Sequence, residues 1–443
     1  MKYIRPTGDL RMGAQIMKSS TCYQNQQTTM NIVHFSWEFP PTIWGGLGTF
    51  ATELSQKQVL FGNQVTVFTL NSENNFSPSE KWNGVEVYRP KTLDLSSSFK
   101  LFANQDLHSW GSHFKFFSDV INYNISSASQ LVNTLVRANN RSFDIIDGHD
   151  WLGIIGGMIA KKELNLPLMF HIHSTESGRS LGGGSRTIKN IELEGGQTAD
   201  CIITVSHSMK NELEHLGFPA EKIRVCWNGV DPRKYDRDRI NPQDISILRK
   251  NYGIMNDEVM LFFVGRLVKV KGADNLVQAM PMVLSEFPDT KLVLLGVGDM
   301  ETDIRRKIQE LGLQKNVLIR NEFVPEEERI LHYAASDAVV LPSLYEPFGI
   351  VCTEAMSMGK PVVVGARGTN GMREQVIPSG ENQCGRHVNP FDPSDISWGI
   401  KQVLESKEQQ VQMGNNARKQ VLQKFSWDII TQRTTDIYKE FMK

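Results

Sequence analysis

From Met30 onward, short runs rich in Ile, Val and Phe alternate with stretches of helical periodicity, and this alternation narrows the fold more than any other feature. Asn31–Ser36, Gln64–Thr69, Phe143–Asp147, Pro167–Ile172 and Cys201–Val205 read as strands of a first series. Continuous apolar runs need cover on both faces, which intervening helices supply, so the pattern predicts a parallel sheet wrapped by helices. A second series follows at Val259–Val264, Lys291–Leu295, Val317–Arg320, Ala338–Leu341 and Pro361–Val364. Between them, Asn228-Gly229-Val230-Asp231-Pro232 leads into the polar segment Arg233 to Gln243, the best linker candidate. A chain of 443 residues is long for one domain. The expectation is an α/β protein with two doubly wound domains, residues 30–232 and 244–425, facing a cleft. Ligands of such sheets bind beyond the carboxyl ends of the strands.

Charge and cysteine usage exclude several functions. Against 49 acidic residues stand 48 basic ones, a net of −1, so no nucleic-acid partner is expected. The five cysteines, Cys22, Cys201, Cys226, Cys352 and Cys384, are widely spaced and contain no CxxC pair, which suits free thiols in a cytoplasmic protein. No apolar run approaches the roughly 20 residues that span a bilayer, while peripheral membrane contact stays open. Met1 to Thr29 is polar and aperiodic and lacks the apolar core of a signal peptide. It reads as a disordered extension or a start site placed too early.

The densest chemistry lies in Leu341-Pro342-Ser343-Leu344-Tyr345-Glu346-Pro347-Phe348-Gly349-Ile350, where a strand turns into a helix that carries Glu354. Unpaired N–H groups of Phe348, Gly349 and Ile350 at that helix start favour an anionic ligand, and a glutamate stands on each side of them. Gly45, Gly46 and Gly48 open another helix after the first strand, read either as a phosphate approach or as a tight turn. In Gly265-Arg266-Leu267-Val268-Lys269-Val270-Lys271-Gly272, Arg266 and Lys271 suit two neighbouring phosphates, Lys269 is left to solvent, and a solvated basic loop is the bland alternative. His149-Asp150-Trp151 and His171-Ile172-His173 end two strands. An H-x-H pair raises a metal site, but no further ligands are apparent in the sequence and no metal is expected. Gly296-Val297-Gly298-Asp299-Met300-Glu301 lacks the third glycine of a dinucleotide fingerprint. Asp236-Arg237-Asp238 reads as surface, and the aromatics Phe102, Trp110, Phe114, Phe116 and Phe117 as core or lid.

Taken in order, these motifs resemble the family 4 (group 1) retaining glycosyltransferases of the GT-B fold, whose two domains are Rossmann-like, over Asn31 to Lys443. Glu346 and Glu354, with seven residues between them, match the family's E-x7-E motif. Gly45-Gly46, Arg266 with Lys271, Asn228-Gly229-Val230-Asp231 and Phe425-Ser426-Trp427 match its other segments. The resemblance implies a nucleotide-diphosphate sugar as donor, no permanently bound cofactor, no required metal and a carbohydrate acceptor. It also implies a C-terminal helix, within 426–443, that crosses back to the first domain.

By the same resemblance, Glu354 would hold the donor ribose, Glu346 the transferred sugar near its 3-hydroxyl, and Arg266, Lys271 and Gly46 the diphosphate. The N–H groups around Phe348, Gly349 and Ile350 would hold sugar hydroxyls and phosphate, and His173 the sugar's 6-hydroxyl. Asp150 and Trp151 would lie beside the acceptor. Gly371-Met372-Arg373-Glu374 and Ser36-Trp37-Glu38-Phe39-Pro40-Pro41 lean toward glycogen and starch synthases, although Thr42-Ile43-Trp44 replaces the lysine of the bacterial K-x-G-G-L segment. The reading favoured is transfer of glucose from ADP- or UDP-glucose to an α-glucan. A glycolipid or cell-envelope glycosyltransferase is the alternative, followed by a nucleotide-sugar epimerase or an inactive sugar-binding homologue.

Overall fold

The computed structural model describes residues 29–111 and 114–442, so the proposed extension, apart from Thr29, lies outside the described residues. The first domain is built on eight strands: β1 Asn31–Phe35, β2 Gln64–Phe68, β3 Ser79–Trp82, β4 Val85–Tyr88, β5 Ile145–His149, β6 Leu168–Ile172, β7 Cys201–Thr204 and β8 Ile223–Val225. Their order is β3-β4-β2-β1-β5-β6-β7-β8, and only the β3–β4 pair is antiparallel. The second holds β9 Val259–Val264, β10 Thr290–Leu295, β11 Val317–Arg320, β12 Ala338–Leu341, β13 Val362–Gly365 and β14 Gly385–Val388, all parallel, in the order β11-β10-β9-β12-β13-β14. β5, β6, β7, β12 and β13 are buried along their whole length, as continuous apolar runs require.

Each sheet reverses its strand order once, between β1 and β5 and between β9 and β12. A crevice opens at such a reversal because the two loops leave in opposite directions. The glycine-rich turn and His149 follow β1 and β5; the Arg266 loop and Glu346 follow β9 and β12.

The segment read as a polar linker is ordered and partly internal. Tyr235 is 3% exposed, and a helix, Pro242–Asn251, starts inside the segment, capped by the Asn241 side chain. Asp236, read as surface, pairs with Arg418 at 3.1 Å. Two crossings of the chain run side by side: Val230 N–H donates to Phe425 O at 2.8 Å, and Trp427 N–H to Val230 O at 3.3 Å. A side chain at Gly229 would meet the Trp427 ring at 2.5 Å, so glycine there admits the tryptophan. Ser426 caps the helix Trp427–Lys439, whose Trp427, Ile430, Ile437 and Tyr438 pack with Met30, Ile32, Phe50 and Leu54 of the first domain. Lys57 pairs with Asp428 at 2.5 Å on the same seam.

Candidate active site

Gly349 ends the turn after β12 in a left-handed conformation, φ 87°, and precedes the helix Ile350–Ser357 without a capping side chain. A Cβ there would also meet Met372 Cγ at 2.8 Å, so glycine is required twice over. The N–H groups of Phe348, Gly349 and Ile350 find no acceptor among the described residues. They form an uncapped, electropositive helix start. Glu346 is fixed beside it: its N–H donates to Thr369 O at 3.1 Å, its carbonyl accepts from Gly371 N–H at 2.8 Å, and its carboxylate pairs with Lys271 Nζ. Arg266 is exposed and has no ion pair among the described residues. Lys269, expected in solvent, pairs with Asp274 at 2.6 Å while staying half exposed.

The other domain brings a second helix start to this place. A Cβ on Gly46, the first residue of the helix Gly46–Leu60, would lie 3.8 Å from Ile350 Cδ1. The glycines divide their work differently from the phosphate reading. Glu38 Oε2 accepts from the N–H groups of Trp44 (2.9 Å) and Gly45 (3.1 Å), and Gly48 is needed because a Cβ there would sit 2.8 Å from that same oxygen. Gly46 is thus the one that faces the opposite domain.

Glu354 lies deeper, 3% exposed. Its Oε1 accepts from the Tyr235 hydroxyl (2.8 Å) and Arg329 Nη2 (3.1 Å), and its Oε2 from the Tyr333 hydroxyl (2.7 Å). None of these three partners was legible in the sequence, and Tyr235 sits in the supposed linker.

His173 belongs to a larger cluster than the H-x-H pair suggested. β1, β5 and β6 lie side by side, which places His34, Asp147, His149, His171 and His173 together. Two sets, His149 with His171 and His173, and His34 with Asp147 and His149, hold potential metal-ligand atoms within 4.8 Å of one another. Three of these rings meet edge to edge, His34 Nδ1 lying 3.0 Å from His149 Nε2 and His149 Nδ1 3.2 Å from His173 Nε2, so these nitrogens are engaged with one another rather than turned to a common point. Asp150 Oδ1 accepts from the His173 N–H at 2.7 Å, and Trp151 is 4% exposed among Phe116 and Phe117. Asp150 thus holds the His173 backbone, and Trp151 is packed into the aromatic cluster. Phe114 and Phe117 join the same buried aromatic cluster.

Two further contacts join the domains. Tyr345, next to Glu346, inserts its hydroxyl near the Thr175 N–H (3.2 Å) and Glu212 (3.4 Å). Glu374 accepts from the N–H groups of His207 (3.0 Å) and Ser208 (2.7 Å), the Ser208 hydroxyl (3.0 Å) and Trp227 Nε1 (3.2 Å). The first two belong to the start of the helix His207–His215, whose dipole favours a carboxylate. Cys201, Cys226, Cys352 and Cys384 are buried free thiols, and no helix among the described residues is long and apolar enough to cross a membrane.

Residues 44–234 match the family model described as Glycosyltransferase Family 4, and residues 244–420 that described as Glycosyl transferases group 1. An uncharacterized glycosyltransferase of Methanocaldococcus jannaschii is 34% identical over 94% of this chain and 99% of its own. A glycogen synthase of Mycobacterium tuberculosis is 28% identical over 92% and 94%. Among solved structures, the Anabaena protein HepE in complex with UDP-glucose superposes with a TM-score of 0.69 over 93% of this chain and 100% of that one, at 22% identity. With two facing parallel-sheet domains and both family models in sequence, the chain belongs to the group 1 glycosyltransferases of the GT-B fold and is a glycosyltransferase.

Proposed function

We propose that this enzyme moves glucose from ADP- or UDP-glucose to an α-glucan with retention of configuration. One observation supports a nucleotide-diphosphate donor above all: two helix starts, one from each domain, abut at Gly46 and Ile350, beside Lys271 and Glu346. Unpaired N–H groups and the two dipoles suit the charge that develops on a departing diphosphate, each aligned donor contributing on the order of a few kcal/mol. The Lys271–Glu346 pair is the part that must rearrange. Lys271 turns to the phosphates while Glu346, released, accepts from a sugar hydroxyl; Arg266, free of ion pairs among the described residues, adds a second cation. Glu354 meets the ribose through its remaining lone pair, and Phe348, Gly349 and Ile350 hold phosphate and sugar through their N–H groups. No step in this scheme calls for a metal.

The choice of an α-glucan draws on the likeness to a glycogen synthase and on the Gly371-Met372-Arg373-Glu374 segment. The test is a panel in which ADP-, UDP- and GDP-sugars are offered with glycogen, maltose and a lipid acceptor, scored by nucleotide release. Release with ADP- or UDP-glucose and a glucan is expected. Release only with a lipid acceptor would move the function to glycolipid or envelope synthesis, and conversion of donor without acceptor would make it an epimerase.

A further inference from the structure

Four side chains, three of them buried, form a line that ends at His173. His34 Nε2 lies 2.8 Å from Gln58 Oε1, His34 Nδ1 lies 3.0 Å from His149 Nε2, and His149 Nδ1 lies 3.2 Å from His173 Nε2. Gln58, His34 and His149 are at most 1% exposed, whereas His173 is half-buried. Burial holds all three imidazoles below their ordinary pKa, His149 down to about 3, so each is neutral near pH 7. A neutral imidazole has one N–H and one lone pair. Polarity at one end of the line therefore dictates every link after it.

Gln58 sets that polarity. An amide can be read either way round, but here its other end lies against the Tyr438 hydroxyl, whose proton goes to Asp147 Oδ2. The Gln58 NH2 is enclosed and makes no hydrogen bond of its own, but the Tyr438 oxygen turns only lone pairs toward the amide, which favours NH2 over a second acceptor there and leaves the Gln58 carbonyl facing His34. His34 then donates from Nε2 and accepts at Nδ1, His149 donates from Nε2 and accepts at Nδ1, and His173 donates from Nε2. Asp147 does not divert the line, because its Oδ2 lies 3.6 Å from His34 Nδ1 and 3.7 Å from His149 Nε2, beyond hydrogen-bond distance. His173 Nδ1 is left with a lone pair; it has no protein partner and is not among the enclosed polar atoms of the described residues.

We propose that the Gln58–His34–His149 line fixes His173 as the Nε2–H tautomer, so that Nδ1 faces the cleft as an acceptor for a sugar hydroxyl, with Gln58 a positioning residue three links from His173. The sugar contact rests on the transfer reading above; the tautomer does not. Such a site selects a group that can donate, and so discriminates a hydroxyl from fluorine or hydrogen at the same carbon.

The experiment is a long-range 1H–15N imidazole spectrum of the full chain labelled with 15N-histidine, with His173 assigned by comparison with His173→Gln. At neutral pH the expected spectrum shows His173 protonated at Nε2 and bare at Nδ1. Protonation at Nδ1, or at both nitrogens, overturns the proposal without bearing on whether sugar is transferred. Gln58→Met, which keeps the bulk and removes the carbonyl, is expected to give mixed tautomers at His173; a single Nε2–H form there overturns the role of Gln58. In the same variant, affinity for the nucleotide sugar should fall about tenfold while that for the nucleoside diphosphate holds. Equal loss for both would refute the sugar contact and leave the tautomer standing. If Gln58→Met does not fold, the wild-type spectrum still decides the tautomer, and a 6-fluoro donor that binds as well as the hydroxyl would refute selection.

Discussion

Replacing Glu354 is expected to unfold as well as disarm. Its carboxylate serves Tyr235, Tyr333 and Arg329 at 2.7 to 3.1 Å, and the nearest carboxylate left to Arg329 would be Glu326 at 3.7 Å. Breaking a buried pair from one side costs about 3–5 kcal/mol, and the Arg329 side chain is 22% exposed, so the lower end, about 3 kcal/mol, applies to Glu354→Ala. Glu354→Gln keeps an acceptor for Tyr235 and Arg329 but loses the charge and turns an NH2 toward Tyr333, for about 1–2 kcal/mol. Urea unfolding of both variants measures this, and the cycle of Arg329→Leu, Glu354→Leu and their double variant isolates the coupling. The double variant should recover more than about 1 kcal/mol of the summed single losses. Single variants within about 0.5 kcal/mol of wild type, the usual scatter of neutral surface changes, would refute the load assigned to this carboxylate.

Lys271→Ala should weaken nucleoside diphosphate binding by about tenfold or more, with a flatter salt dependence, while Lys269→Ala changes little; calorimetry at two salt concentrations checks both. Glu374→Ala removes an acceptor from four donors across the domain junction, so scattering should show a more open free protein and kcat should fall several-fold. Burial raises the Glu192 carboxyl to about 8 although Arg179 opposes this. A carboxyl raised on folding contributes stability that is complete below about pH 4.5 and is lost as pH rises through about 8, at up to about 1.36 kcal/mol per unit. Glu192→Gln should flatten that part of the pH–stability curve measured by denaturation, and an unchanged slope would contradict the assignment.

How much of this was legible before the structure depends on where a residue sits. β9 and β12 were readable to the residue because they are uninterrupted apolar runs, and β11 because its apolar run ends at Arg320. The strands missed, β3, β4, β8 and β14, lie at or next to sheet edges, and β3, Ser-Glu-Lys-Trp, is polar and mostly exposed. The turn between Glu346 and Glu354 was legible because its residues are contiguous. Tyr235, Arg329 and Tyr333 were not, since they reach Glu354 from 119, 25 and 21 positions away. Gln58 and His34 were hidden for a related reason: Gln58 reaches His34 from the helix Gly46–Leu60 and His34 meets His149 from the neighbouring strand, and neither helix placement nor strand order is present in local periodicity. Glu38 lay in a segment already quoted for its resemblance, yet its bonds to the helix start were invisible without the turn geometry.

The most direct test of the interdomain site compares wild type with Glu346→Ala, measuring nucleoside diphosphate affinity and acceptor-dependent nucleotide release in the same preparations. The carboxylate pairs with Lys271 at the helix start but holds no buried network of its own, so affinity should stay within about threefold while release falls by at least about a hundredfold. Release at the wild-type rate in a folded variant would contradict the role of Glu346 and, with it, the placement of the transferred sugar.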